Sequence, residues 1–195
     1  MTNTGDDDER RRRFERLALP HLDAAYNLAR WLTRNDDDAR DVVQDAVLRA
    51  MRFIGTQRGD NARGWLLQIV RNTCFTWLKR NRPIDLVALD DEDDSTPELG
   101  GSVDDEPHAI LVRKHERAQI DRAIAALPVS FREVLVLREL EDLSYVEIAR
   151  IADVPIGTVM SRLARARSQL RRSLATEHRP MLRPVPTPAR SGERS

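Results

Sequence analysis

The residues whose types and spacing suggest chemistry most clearly lie at positions 156–174. Arginines recur throughout this stretch, and it contains no aspartate or glutamate. Helical spacing divides it into two faces. The apolar face consists of Val159, Leu163, Ala166 and Leu170. The opposite face is small, polar and cationic and consists of Ser161, Ala164, Arg165, Ser168 and Arg172. Such a face has the chemistry to contact DNA, since cations meet phosphates and small polar side chains meet base edges.

A short helix and a tight turn should precede this cationic stretch. Ser144 and Glu147 have the spacing of a capping box, which predicts that a helix starts there. Pro155 lacks a backbone donor and keeps Val154 out of the helical region, so a break should follow. Two helices around a turn, with a basic outward face on the second, are typical of a helix-turn-helix. The same pattern also fits an ordinary helical hairpin whose arginines are only solvated.

Positive and negative side chains are equal in number over the whole chain but are concentrated in different segments. The 195 residues include 32 lysines and arginines and 32 aspartates and glutamates, so the total charge does not indicate a nucleic-acid partner. Acids are concentrated at residues 90–94, whereas the stretch at 156–174 is basic. The local patches, rather than the total charge, therefore indicate the partners.

The chain offers no set of residues for catalysis or for a cofactor. It has no phosphate-binding glycine loop, no zinc-ligand spacing and no nucleophile–base set, which argues against an enzyme. Cys74 is the sole cysteine, so no internal disulfide or cysteine metal cluster can form, and its helical position predicts a structural role. The absence of a signal-peptide core and of an apolar run of about 18 residues predicts a soluble, cytoplasmic protein.

The N-terminal half should contain helices with two distinct polar faces. Residues 9–33 are predicted to be helical with a break at Pro20, and further helices should follow over residues 39–54 and 62–81. The polar face of the 39–54 helix consists of Asp41, Gln44, Asp45, Leu48 and Arg52. The polar face of the 62–81 helix consists of Gln68, Arg71, Asn72, Phe75 and Lys79. A ring among amides and cations suits single-stranded DNA, because bases stack on rings while cations follow phosphates.

The predicted fold class is all-α, with two small helical domains joined by an acidic linker. Residues 1–82 should form the first domain. Residues 83–107 contain no lysine or arginine and too little apolar surface to fold, so they should form an extended linker. Residues 108–176 should form the helix-turn-helix domain, beginning with a helix in which Ile120 is an apolar anchor. Residues 177–195, rich in proline and arginine, should form a disordered tail.

Two stretches of the chain resemble the extracytoplasmic-function (ECF) class of bacterial RNA polymerase sigma factors. The C-terminal stretch is similar to the promoter-reading domain through Leu127-Pro128, Leu143-Ser144-Tyr145-Val146-Glu147-Ile148-Ala149 and Gly157-Thr158-Val159-Met160-Ser161-Arg162-Leu163. In the N-terminal stretch, residues 38–50 resemble the helix that docks on the polymerase, and residues 63–72 resemble the helix that recognises the minus-ten element. Met160 departs from the family, which often has a basic residue there, and this departure removes one contact to phosphate or base.

The resemblance implies three sets of binding residues and no catalytic or metal-binding ones. The implied polymerase contacts are Asp41, Gln44, Asp45 and Leu48. The implied contacts to minus-ten DNA, from which a base is flipped out, are Asn61, Arg63, Asn72, Phe75 and Lys79. The implied contacts to minus-thirty-five DNA are Thr158, Met160, Ser161, Arg162, Ala164, Arg165, Ser168 and Arg172.

The resemblance implies an initiation subunit that binds core RNA polymerase, reads both promoter elements and helps to melt the DNA. Duplex and single-stranded promoter DNA would both be partners, and an anti-sigma factor is a further candidate that no residue identifies. Two alternatives stay open. A stand-alone helix-turn-helix regulator would leave the acidic face of the 39–54 helix without a role. A sigma-like decoy would bind an anti-sigma factor without driving transcription.

Overall fold

Eight α-helices and no strands occur in residues 4–57, 61–83 and 110–177, the part of the chain that the computed structural model describes. The prediction of an all-α fold is therefore confirmed. The predicted linker over residues 83–107 and the predicted tail over residues 177–195 lie almost entirely outside the described residues.

The N-terminal half consists of α1 (Thr4–Leu17), α2 (Leu22–Thr33), α3 (Asp36–Phe53) and α4 (Ala62–Asn81). The break predicted at Pro20 is confirmed, because a turn of 3₁₀ helix at Leu19–His21 separates α1 from α2. α3 begins earlier than predicted. Asn35 caps it by accepting hydrogen bonds from the backbone N–H groups of Asp37 and Asp38. The first turn of α3 is therefore acidic, which the helix dipole favours.

The C-terminal half consists of α5 (Ile110–Ala125), α6 (Val129–Leu135), α7 (Tyr145–Ala152) and α8 (Ile156–Glu177). A π-helical turn at Val136–Leu140 extends α6. The predicted capping box is confirmed, since the Ser144 hydroxyl accepts from the Glu147 N–H and the Glu147 carboxylate accepts from the Ser144 N–H at 2.9 Å. Asp153 ends α7 in a left-handed conformation with φ at 54°, and Pro155 then precedes α8, so the predicted turn is present.

The buried side chains of the two halves form one continuous apolar core. It includes Leu28, Leu32, Leu66 and Val70 from the N-terminal half and Val134, Leu137, Ile148 and Leu163 from the C-terminal half. α4 packs on α2 and α3 and also on α7, and α2 contacts α6. Each fully buried large apolar side chain contributes roughly 1.5–3 kcal/mol to the free energy of folding. Contact between the halves therefore contributes substantially to stability.

The prediction that Ile120 anchors α5 is wrong. Ile120 is 45% exposed, whereas Ile124 and Leu127 on the same side of the sequence pattern are only 8% and 5% exposed. The extensive contacts of α5 within the described residues are with α8. Ile120 lies before the covered residues at the end of α5, so periodicity alone does not identify it as exposed.

Candidate nucleic-acid and partner interfaces

The polar face of α3 is open to solvent. Asp41, Gln44, Asp45 and Leu48 are all exposed and follow the helical spacing of three and four. The opposite stripe of α3, which comprises Ala39, Val42, Ala46 and Ala50, is buried and fixes the orientation of this face. The acidic face therefore presents negative charge around one apolar side chain, a combination that complements a basic partner surface.

Two apolar side chains that sequence reasoning missed extend the exposed surface toward the C-terminal end of α3. Met51 is 40% exposed and Phe53 is 56% exposed, beside Leu48 at 49%. Met51 follows Leu48 by three residues and Gln44 by seven, and this heptad relation to the acidic face is the signal that could have identified it. Exposed apolar side chains beside a charged face are typical of a protein–protein contact surface.

Asn61 begins α4 and caps it. Its Oδ1 accepts a hydrogen bond from the Gly64 N–H at 2.8 Å. A Cβ at Gly64 would lie 2.7 Å from the Asn61 side chain, so this close approach requires glycine. Asn61 is itself exposed. The predicted minus-ten residue thus also has a structural role, because it satisfies an N–H group that would otherwise lack a partner.

Two arginines of α4 are paired with carboxylates of the C-terminal half. Arg63 Nη2 donates to Glu141 Oε2 at 2.6 Å, and Arg71 Nε donates to Glu133 Oε1 at 2.7 Å. The other oxygen of the Glu141 carboxylate accepts from Asn27 Nδ2 at 2.6 Å. Arg63, a predicted minus-ten residue, therefore contacts the other half of the protein in this structure.

The remaining predicted residues of α4 lie around Arg71. The Arg71 guanidinium carbon is 4.0 Å from the centroid of the Phe75 ring, a cation–π contact, and Arg71 Nη1 donates to Asn72 Oδ1 at 3.3 Å. Phe75 is half-buried, whereas Asn72 and Lys79 are exposed. The predicted combination of ring, amide and cation is present, and one face of the ring is covered by the guanidinium.

The carboxylate of Glu133 is completely buried in this region. Burial raises the pKa of Glu133, and the nearby Arg71 and Arg162 guanidinium groups partly oppose that rise. Burial, together with the Glu133 charge, also raises the pKa of the Cys74 thiol, which is completely buried. The predicted structural role of Cys74 agrees with this environment, because a buried thiol with a raised pKa is unreactive.

The predicted cationic face of α8 is exposed. Ser161, Ala164, Arg165, Ser168 and Arg172 are exposed, and so is Met160, at 54%. Val159, Leu163 and Ala166 are buried on the opposite side, as predicted. Thr158 and Arg162 are only half-buried at the edge of the face, and Arg162 lies close enough to Glu133 to affect its pKa. The structure thus brings six of the eight predicted residues onto one open surface.

Arg167 is an exposed arginine of α8 that is paired with a carboxylate. Its Nη2 donates to Glu139 Oε1 at 2.6 Å, and its Nε donates to the same oxygen at 3.2 Å. Arg167 lies on the side of α8 away from Arg165, seven residues after Met160, and its partner lies within the C-terminal half. It therefore serves as an internal comparison for the arginines of the open face.

Within the described ranges, no group of three or more histidine, cysteine, aspartate or glutamate side chains could hold a metal ion. None of the helices in those ranges combines the length and apolar character needed to cross a membrane. A helix-turn-helix with an exposed basic face, combined with a second helical half that exposes an acidic face, defines a DNA-binding protein with a protein partner.

Comparison with known proteins identifies the family. The family model described as Sigma-70 region 2 matches residues 17–84, and the model described as Sigma-70, region 4 matches residues 117–170. RNA polymerase sigma-H factor of Pseudomonas aeruginosa is 33% identical over 177 residues, covering 89% of this chain and 90% of the relative. ECF RNA polymerase sigma-E factor of Escherichia coli is 38% identical over 140 residues, covering 68% of this chain and 72% of the relative.

A third relative, ECF RNA polymerase sigma factor SigE of Mycolicibacterium smegmatis, is 34% identical over 162 residues, covering 83% of this chain. The chain spans 62% of the length of this mycobacterial relative. The protein belongs to the ECF class of RNA polymerase sigma factors. Members of this family are initiation subunits without catalytic activity of their own.

Two solved structures share the fold. The sigma factor RpoE of Bartonella quintana, in complex with the anti-sigma factor NepR, has a TM-score of 0.63 at 24% identity, with 84% of this chain and 98% of that chain covered. CnrH, in complex with the cytosolic domain of CnrY, has a TM-score of 0.59 at 22% identity, with 84% and 88% covered. At these identities the comparison supports the arrangement of helices alone.

Proposed function

We propose that this protein binds core RNA polymerase and directs it to promoters by reading the minus-thirty-five and minus-ten elements, with melting of the DNA and initiation as the outcome. The observation that carries the proposal is the pair of exposed faces of opposite charge on α3 and α8. They lie within the two regions of the chain that match the two sigma-factor family models, in the family's order. The proposed place of action is the cytoplasm, where the polymerase and the promoter are found.

The polymerase-binding surface is the acidic face of α3. Asp41, Gln44, Asp45 and Leu48 supply two carboxylates, an amide and an apolar contact. Charge complementarity with a basic helix of the partner steers association and sets orientation, while Leu48 provides a desolvated centre. Met51 extends this apolar contact along the helix.

Minus-thirty-five DNA is read by α8 in the major groove. Arg165 and Arg172 position the helix through phosphates or guanine edges, while Ser161 and Ala164 lie against base edges. Ser168 completes the small polar surface. Met160 is an apolar side chain, 54% exposed, so it contacts a thymine methyl group in place of the phosphate or base that a cation would contact. Thr158 and Arg162 border the contact surface at its buried edge.

Minus-ten DNA is held as an unstacked single strand by α4 and the residue that caps it. Phe75 offers a stacking surface, Arg63 and Lys79 follow the phosphates, and Asn61 and Asn72 offer hydrogen bonds to base edges. Flipping one base costs a few kcal/mol, which these contacts must offset.

An anti-sigma factor is a further proposed partner. One solved structure with the same fold contains a sigma factor bound to an anti-sigma factor, and another contains CnrH bound to the cytosolic domain of CnrY. Because the shared fold does not define which residues such a partner would touch, the proposal is limited to the class of partner.

Transcription in vitro tests the proposed function. Core RNA polymerase should start at discrete promoter sites only when this protein is added, and core binding should be measured in the same sample by gel filtration. Core binding without initiation would favour the decoy. Duplex binding without core binding would favour the stand-alone regulator. Either result would overturn the proposal.

A further inference from the structure

The first helix carries a run of arginines that lies outside the three proposed binding surfaces. Arginines occupy positions 10–13 and 16 of the chain, within α1. Phe14 and Ala18 are buried in the core at 5% and 0% exposure, and they fix the orientation of the helix. The match to the Sigma-70 region 2 model begins at residue 17, the last residue of α1. The arginines therefore precede the region that the family model describes.

Three of these arginines form one continuous face of α1. At about 100° per residue, Arg16 lies about 60° around the helix from Arg13, and Arg12 lies about 40° further. Arg13 is half-buried at the edge of this face, whereas Arg12 and Arg16 are exposed. Arg11 lies about 160° from Arg13. Its Nε donates to Glu15 Oε1 at 3.2 Å, so it belongs to the other side of the helix. We call Arg12, Arg13 and Arg16 the basic face of α1.

Arg13 holds the basic face against the segment that leads to α4. Its Nη2 donates to the backbone carbonyl oxygen of Gln57 at 2.6 Å. α1 also contacts α3 and the turn of 3₁₀ helix at Ile54–Thr56. Asn61, which caps α4 and belongs to the proposed minus-ten site, follows Gln57 by four residues, so their α-carbons are at most about 14 Å apart. The basic face of α1 therefore lies beside the proposed minus-ten site.

The positive charge of α1 lies toward the end of the helix that meets this segment. Asp8 and Glu9 are exposed on the N-terminal side of Arg12, and Arg16 lies about 6 Å further along the helix axis than Arg12. Phosphates recur about every 3.4 Å along each strand of duplex DNA. Arg12 and Arg16 are therefore far enough apart to contact separate phosphates of one strand.

Charge distinguishes DNA from a protein as the partner of this face. A guanidinium group is always charged, and its planar donors match a phosphate in a bidentate contact. The partner that complements the acidic face of α3 must be basic, and a basic surface would repel the arginines of α1. Promoter DNA has the matching charge, and its proposed minus-ten contacts adjoin the basic face of α1.

We propose that Arg12 and Arg16 form a further DNA-binding site, which contacts the phosphate backbone of promoter DNA beside the minus-ten element, and that Arg13 is its positioning residue. The placement of the DNA beside this face rests on the proposed function. Phosphate contacts carry no sequence information, so the site adds affinity on every DNA sequence and selects none.

The test uses the full-length chain with Arg12→Gln and Arg16→Gln combined. The matched control combines Arg11→Gln with Arg117→Gln and removes the same charge. Arg11 is paired with Glu15 on the other side of α1, and Arg117 is exposed on α5 in the C-terminal half. All the substituted positions are exposed, so both proteins should fold, and circular dichroism checks that they do.

The salt dependence of DNA binding is the main measurement. Fluorescence anisotropy follows the complex of this protein and core RNA polymerase on a promoter fragment whose minus-ten region is single-stranded. Each phosphate contact contributes about 0.7 on a single strand and about 0.9 on a duplex to the slope of log K against log salt. The Arg12 and Arg16 variant should therefore lower the slope by about 1.4–1.8, whereas the control should keep it. Affinity should fall equally on fragments with altered minus-ten sequences.

A second salt series separates this site from the proposed function. It uses the free full-length chain and a single strand of thymidines, so it requires neither polymerase nor promoter. A lower slope in the Arg12 and Arg16 variant here, with no polymerase binding by any of the proteins, would keep the phosphate site and contradict the proposed function. Gel filtration with core enzyme measures polymerase binding.

The remaining outcomes decide the proposal directly. A lower slope in the Arg12 and Arg16 variant than in both the wild type and the control supports it. An unchanged slope in the folded variant would overturn it. So would a loss of polymerase binding in place of DNA binding, because the arginines would then contact the protein partner. A loss confined to one DNA sequence, or no DNA binding by the wild type in either series, would also contradict a phosphate site.

Discussion

α4 and α8 are both arginine-containing helices with proposed DNA contacts, yet they differ in what those arginines touch. On α8, Arg165 and Arg172 lie on an exposed face. On α4, Arg63 and Arg71 pair with Glu141 and Glu133 of the other half. The difference shows that a basic helix is not by itself an available surface. The α8 face is exposed to solvent, whereas Arg63 and Arg71 of α4 would have to exchange a carboxylate for a phosphate on binding DNA.

Packing explains why the two helices differ. α8 buries one stripe, represented by Val159, Leu163 and Ala166, and exposes a broad face on its other side. α4 is surrounded by α2, α3 and α7, and consecutive residues such as Leu66 and Leu67 are both buried. A central helix has little free circumference, so its polar residues meet other parts of the protein.

The largest effect is expected from a change on α3, outside the two helices just compared. Asp41→Arg combined with Asp45→Arg should abolish binding to core RNA polymerase, because two carboxylates opposite a basic partner become repulsive cations. The fold should persist, since both positions are exposed. Gel filtration with core enzyme measures the binding.

The matched control for this change is Glu15→Arg combined with Asp23→Arg, which alters the charge equally at exposed positions outside the acidic face of α3. Core binding by this control should be near normal. Normal core binding by the folded Asp41 and Asp45 variant would show that the polymerase contact lies elsewhere.

The next effect tests the open face of α8. Arg165→Ala should weaken binding to duplex promoter DNA by about 1–3 kcal/mol if Arg165 reads a guanine bidentately, and the loss should be greatest on the cognate sequence. Equal weakening on every DNA sequence would show that Arg165 contacts a phosphate instead. Arg167→Ala is the control, because Arg167 is held by Glu139 and should have little effect. Fluorescence anisotropy at fixed salt measures both.

The pH dependence of stability sharpens the contrast for α4. Burial raises the pKa of Glu133 in the folded protein, so folding favours the protonated acid. The contribution of this group to the free energy of unfolding should therefore grow as pH falls through the raised value and level off below the ordinary value of 4.5. Urea unfolding at a series of pH values measures this contribution, and Glu133→Gln should reduce the dependence.

The smallest effect is expected on stability, from a change in the cap of α7, the helix before the turn. Ser144→Ala removes the hydroxyl that caps α7 and should lower the free energy of unfolding by about 1 kcal/mol. Ser144→Gly should cost only a few tenths of a kcal/mol. Urea unfolding measures both. Equal losses in the two variants would indicate that the cap hydrogen bond contributes little to stability.

The sequence predicts the local features of this protein better than the contacts between its halves. The capping box at Ser144 and the open face around Arg165 follow from spacing, because a helix fixes its own periodicity. The pairing of Arg63 with Glu141 joins residues 78 positions apart, and that of Arg71 with Glu133 joins residues 62 apart. Local spacing does not identify such distant partners. The sequence therefore shows that Arg63 is a cation but not that it pairs with a carboxylate.

Transcription in vitro with core RNA polymerase tests the central claim most directly. Transcripts should start at discrete promoter sites only when this protein is added, and core binding should be measured in the same sample. Core binding without such transcripts would contradict the account, because the protein would then occupy the polymerase without directing it to a promoter.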